Sequence, residues 1–211
     1  MTMTFKRIAH LALVNLRYYF CLQAVCCVSI LLFTPVVFSL IGLDAAAAAV
    51  PLEYMVSLIG IVLMVPVCSV RESSRIQDPQ DRIGSQDLSM YLVRLFTALT
   101  ALFLCIGAFT LYLYANGCQI YLYHFTGAFI NAFFLGALGM LGKTLFVQKG
   151  WCGYVLPVLY YLANMLCGSA FGRFSLFSMS QGSFLQKGWL LAAAAVTCCI
   201  CLPLFKRRTY A

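Results

Sequence analysis

Residues able to do chemistry are few in this 211-residue chain, and they are scattered. The two histidines, His10 and His124, have no spaced His, Asp or Glu companion, so neither begins a metal-ligand set. The chain has no glycine-rich phosphate loop followed by Lys, no GxSxG and no paired aspartates within an apolar segment. Of the eleven cysteines most lie inside apolar segments, and only Cys118 and Cys152 fall near segment ends. Cys198, Cys199 and Cys201 share one helix with no second pair facing them. They read as small hydrophobes, not as metal ligands or a disulfide framework. Acid, base and nucleophile are not assembled by spacing, so an enzyme is not expected. If ATP is consumed, another chain must hydrolyse it.

The elements that would position such groups belong to a membrane. The chain is 63% hydrophobic and 9% charged, with a mean hydropathy of +0.93; soluble domains carry charge on about a quarter of their residues. The net charge of +8 does not imply nucleic acid, because the basic residues sit at the ends of apolar segments and form no patch.

Within this frame the run Arg71–Arg94 stands out. It holds four of the six acidic residues and four of the fourteen Lys and Arg, with Pro79 and Gly84. Such a run cannot lie in hydrocarbon and must sit in water between two spans. Residues 71–78 are expected to form about two helical turns ending before Pro79. The 71–90 loop is long for a connector and suggests a docking element, and Arg94 is expected to snorkel back to the membrane face.

The pattern predicts an all-α integral membrane protein forming a single transmembrane domain. Residues 4–17 show helical periodicity, with Lys6, His10 and Arg17 in one stripe and Phe5, Ile8, Ala12 and Leu16 opposite, beside Arg7. This predicts an amphipathic helix lying on the membrane surface, in contact with lipid headgroups. Six spans are expected at about residues 20–42, 54–70, 91–114, 120–142, 151–171 and 188–205, each judged against a hydrocarbon core about 30 Å thick. Ala45–Ala49 resembles a cleavage site, but the preceding apolar run is too long for a signal core, so it reads as a retained anchor followed by a short loop. The interval 172–187 alternates Phe and Leu with Ser and Gly and is expected to dip into the interface or re-enter the protein on the outer side.

Orientation follows from counting. With a cytoplasmic N-terminus, the inner side receives Lys6, Arg7, Arg17, Arg71, Arg75, Arg82, Arg94, Lys143, Lys149, Lys206, Arg207 and Arg208, and the outer side only Arg173 and Lys187. The bias predicts both termini and the 71–90 loop on the cytoplasmic side of the plasma membrane.

Within the spans, Asn131 and Asn164 are the polar groups nearest mid-membrane, suited either to lining a substrate path or to hydrogen-bonding a neighbouring helix. Glu53 reads as an interfacial residue at the start of the second span, where the helix dipole favours a negative charge. No carboxylate is expected mid-span, which argues against an ion-coupled carrier. Gly136, Gly139 and Gly142, with Gly127 further out, give the fourth span a small-residue side fit for a helix contact or a dimer seam.

Glu53 with LIGIVLMVPV at 58–67, Glu72 in the following loop, SMYLVRL at 89–95 and LFKRR at 204–208 together resemble the membrane subunits of ATP-binding-cassette type-2 permeases. The resemblance implies six spans, an amphipathic N-terminal helix, a coupling helix after the second span and a re-entrant outer segment before the last. It also implies partners: a separate ATPase chain, which binds the ATP and Mg, and a second permease subunit. Arg71, Glu72, Arg75 and Arg82 would then carry the contacts to the ATPase. The loop departs from the family in being rich in Arg, Gln and Asp where members often have a more apolar, Lys-containing helix. The expected function is that of an exporter subunit moving an apolar, lipidic or peptide substrate. The alternative is a non-transporting immunity or regulatory protein that binds a partner through the same loop.

Overall fold

The computed structural model describes residues 20–68, 84–146 and 151–209, and among them the regular structure is helical throughout, with no strand. The helices are α1 (Phe20–Val37), α2 (Ala45–Tyr54), α3 (Ile59–Met64), α4 (Gly84–Ala115), α5 (Leu122–Leu145), α6 (Cys152–Leu166) and α7 (Leu185–Thr209). Short 3-10 turns at Val56–Leu58 and Val65–Cys68 link and extend α2 and α3, and a longer one, Gly168–Phe174, follows α6.

Among the described residues four stretches are long and apolar enough to cross a membrane: Ala45–Cys68, Tyr91–Ala115, Leu122–Leu145 and Leu185–Pro203. Cys21–Val37 and Cys152–Leu166 are apolar but shorter. At about 1.5 Å per residue, the 15 residues of α6 reach about 22 Å, short of a hydrocarbon core about 30 Å thick. The expected fifth span, to residue 171, ends early because the chain turns into 3-10 geometry at Gly168. The expected first span, to residue 42, ends at Val37, just past Pro35.

Three further expectations are corrected. Residues 45–49, read as a loop, are the first turns of α2, because five alanines are strong helix formers and Asp44 sits at the N-cap position. Residues 84–90, read as the end of the polar loop, open α4. Arg94, expected to snorkel, is buried within the protein. The interfacial-helix residues Lys6, Arg7, His10 and Arg17, and the coupling residues Arg71, Glu72, Arg75 and Arg82, lie outside the described residues.

Successive long helices run antiparallel. At one end the turns 38–44 and 116–121 are stitched together by Gly42 N–H to Asn116 O (3.3 Å) and Gln119 N–H to Leu43 O (3.0 Å). At the other end Thr144 Oγ1 lies 3.9 Å from Cys201 Sγ. Helix α5 is the central post, packed against α7, α6 and α3. Its glycines make that closeness possible. A Cβ on Gly136 would press on Met64 and the Gly60 carbonyl, one on Gly139 would sit 2.9 Å from the Gly153 carbonyl, and one on Gly142 would sit 2.9 Å from that of Cys152. On the facing helix a Cβ on Gly60 would overlap the Ala132 carbonyl. The small-residue side of this helix is therefore filled by the chain's own neighbours, with Gly127 against Met179, and is not free for a dimer seam.

Candidate functional site

Between α6 and α7 the chain makes an excursion whose middle, Ser175–Met179, is buried. Non-helical backbone inside a helical membrane bundle must find partners for N–H and C=O groups that no helix ladder satisfies. Four side chains supply them, and each comes from a different element.

Glu53, in the last turn of α2, is fully buried. Its Oε1 accepts the Met179 N–H at 2.8 Å and its Oε2 the Ser180 N–H at 3.2 Å. Lys187, in the first turn of α7, is also fully buried and pairs with Glu53 Oε1 at 2.8 Å. Its Nζ also donates to Asn131 Oδ1 at 2.9 Å and to the Leu176 carbonyl, so all three ammonium protons are used. Asn131, on α5, donates through Nδ2 to the same Leu176 carbonyl at 2.9 Å. Asn164, on α6, accepts the Leu176 N–H at 2.9 Å and donates to the Phe174 carbonyl at 3.4 Å.

Aromatic rings close the sides. Phe177 stacks on Tyr54, with ring centroids 4.2 Å apart, and meets the edge of Tyr161 at 5.5 Å. Tyr161 donates its hydroxyl proton to the Tyr54 carbonyl at 3.0 Å, and Tyr160 donates to that of Phe174 at 2.6 Å. A buried charge pair repays its desolvation only when geometry is good and the remaining polar atoms are bonded. Both conditions hold here.

Asn131 and Asn164 are thus brought together on the two backbone groups of one residue, Leu176. Asn131 also accepts from Lys187 of the neighbouring helix α7, one of the two roles expected of it, whereas the bonds of Asn164 go to the excursion, to Leu176 and Phe174. Glu53 and Lys187 are the residues that sequence reading missed. Glu53 sits at the start of a span only if Ala45–Val50 is a loop; continuing the helix back to Ala45 puts a lone carboxylate inside an apolar stretch, which demands a cation. Lys187 carried its own signal, since a positive charge in the first turn of an apolar helix opposes the helix dipole and calls for an anion.

His124 is held differently. Its Nδ1 accepts the Tyr121 N–H at 3.0 Å, so Nε2 carries the proton and donates to the Ala45 carbonyl at 2.9 Å. One ring nitrogen caps the start of α5 itself and the other ties α5 to α2. Among the described residues no group of three His, Cys, Asp or Glu is placed to hold a metal. The site therefore binds backbone: it offers three acceptor oxygens, Glu53 Oε1 and Oε2 and Asn164 Oδ1, donors from Lys187, Asn131, Asn164 and Tyr160, and an aromatic slot. No family model, curated protein or solved structure matches the chain.

Proposed function

We propose that the chain is the membrane-spanning permease subunit of an ATP-binding-cassette exporter, acting with a second permease subunit and with ATPase chains that bind ATP and Mg. The observation that carries this reading is the segregation of charge: twelve basic residues fall on one side and two on the other when the spans alternate, and the long polar run leaves an apolar helix at Cys68. Both termini and the polar run then face the cytoplasm. The packing supports the reading, because Cys68 belongs to the stretch that presses on α5 through Gly60 and Val65, and α5 in turn contacts α6 and α7. In this reading, force passed to Cys68 would reach the segment held by Glu53 and Lys187 through the glycine-packed contact of α3 with α5.

In this mechanism ATP-driven closure of the ATPases moves the loop around Glu72, and the packed helices convert the motion into alternating access. Arg71, Glu72, Arg75 and Arg82 carry the contacts to the ATPase. The test is affinity purification of the tagged chain from its native membrane, with identification of co-purifying proteins and measurement of ATP turnover with and without the chain. An ATP-binding-cassette ATPase should co-purify, its turnover should change on binding, and Glu72→Lys should uncouple the two. A chain that purifies alone, with native-host export unaffected by Glu72→Lys, would overturn the proposal.

A further inference from the structure

The buried segment is held in an unusual way. Among the described residues, every hydrogen bond between Phe174–Ser180 and the helices goes through a helix side chain: Glu53, Asn131, Asn164, Tyr160 or Lys187. The remaining backbone bonds of the segment are local, such as Ser175 N–H to Gly172 O and Ser183 N–H to Ser178 O. The seat is built into the helices and the occupant is a separable strip of extended and turning chain.

Two observations indicate that the occupant is removable. It is bracketed by Gly172 (φ 47°) and Gly182 (φ 76°), both in the left-handed region, and a Cβ at either would meet nothing within 4 Å. These are turning points in open space, free to absorb a backbone change. The fit is also incomplete: Ser178 is fully buried, yet its hydroxyl has no hydrogen-bond partner. An orphaned buried hydroxyl works against binding, so a ligand with a better-matched side chain there would hold the seat more tightly.

We propose that Glu53, Asn131, Asn164 and Lys187 form a peptide-binding seat occupied by the chain's own Ser175–Met179, and that an apolar peptide carrying an aromatic residue, extended at first and turning where Glu53 holds it, displaces this plug. Lys187 and Asn131 take one carbonyl of the ligand and Asn164 the N–H of the same residue. Glu53 takes two consecutive N–H groups three and four residues further on, and the aromatic ring enters the slot between Tyr54 and Tyr161. A tethered plug competes at high effective concentration, so a free peptide binds weakly until the plug is weakened. Calling the peptide a cargo rests on the exporter reading; the seat does not.

The probe is a fluorescein-labelled synthetic peptide of residues 174–181, FSLFSMSQ, titrated by anisotropy against the full chain in phosphatidylcholine nanodiscs, with empty nanodiscs correcting for partition into lipid. The plug is weakened by Leu176→Gly/Phe177→Gly and locked by Gly127→Cys/Met179→Cys. The lock is geometrically feasible, since a Cβ on Gly127 would stand 3.3 Å from the Met179 Cγ, about where a cysteine sulfur would lie. Binding should tighten at least about tenfold when the plug is weakened, following the population of open seat. It should fall by at least about as much when the lock is oxidised, while oxidised wild type is unchanged. A probe with Ala in place of the Phe corresponding to Phe177 should bind no more than empty nanodiscs allow. Equal binding to the oxidised and reduced lock, or no binding by any form above empty nanodiscs, would overturn the seat. Peptide binding without a co-purifying ATPase would fail the exporter reading alone, and the reverse result would fail the seat alone.

Discussion

Breaking the Glu53–Lys187 pair from one side is the sharpest test of the buried site. In Lys187→Met the carboxylate keeps the Met179 and Ser180 N–H groups but loses its counter-charge, while Asn131 Oδ1 loses its donor. Removing one partner of a buried pair costs about 3–5 kcal/mol. For a chain of this size each kcal/mol moves Tm by about 2–4 °C, so the expected drop is about 6–20 °C. Glu53→Gln should cost less, because its amide oxygen can still accept from Lys187 and the Met179 N–H. The double variant Glu53→Gln/Lys187→Met removes both charges and leaves only unsatisfied neutral groups, at about 1–3 kcal/mol. The two losses should therefore fall short of adding by about 2 kcal/mol or more. Thermal unfolding of the four proteins in one lipid nanodisc composition, followed by tryptophan fluorescence, measures the cycle. If the double variant loses the sum of the single losses to within about 0.5 kcal/mol, the two groups are independent. The account of a compensated buried pair is then wrong.

Other expectations follow from particular contacts. Gly60→Ala places a methyl group on the Ala132 carbonyl, which is backbone and cannot step aside, so thermal unfolding should show a loss of about 1–3 kcal/mol. Asn164→Ala leaves the buried Leu176 N–H without its acceptor and should cost about 1–3 kcal/mol, with faster proteolysis between residues 172 and 184 as the readout. Tyr161→Phe removes only the bond to the Tyr54 carbonyl and keeps the ring against Phe177, so its loss in the same unfolding assay should be about 0.5–1.5 kcal/mol, smaller than that of Asn164→Ala.

Much of the architecture was legible because apolar length is a local property. A stretch such as Leu122–Leu145 declares itself a helix for hydrocarbon without reference to any other part of the chain. The helix ends were less legible. Ala45–Ala49 resembles a cleavage site and reads as a short loop, whereas it opens α2, which the His124 bond to the Ala45 carbonyl ties to α5. The excursion at 172–187 stood out by composition, and its aromatic and serine alternation fits neither water nor hydrocarbon. Which groups would satisfy its backbone could not be read, since the partners lie on four separate elements.

What the sequence alone determined, then, was helical class, stretches long and apolar enough to cross a membrane, and the polar runs, each set by the solvent that a contiguous stretch can tolerate. The tertiary structure decided what Glu53, Asn131, Asn164 and Lys187 do. Glu53 and Lys187 are 134 residues apart in the chain and 2.8 Å apart in space. A charge inside an apolar stretch announces that it needs a partner. Naming that partner depends on which helices α5 can bring within reach, and that depends on how closely glycine lets them pack.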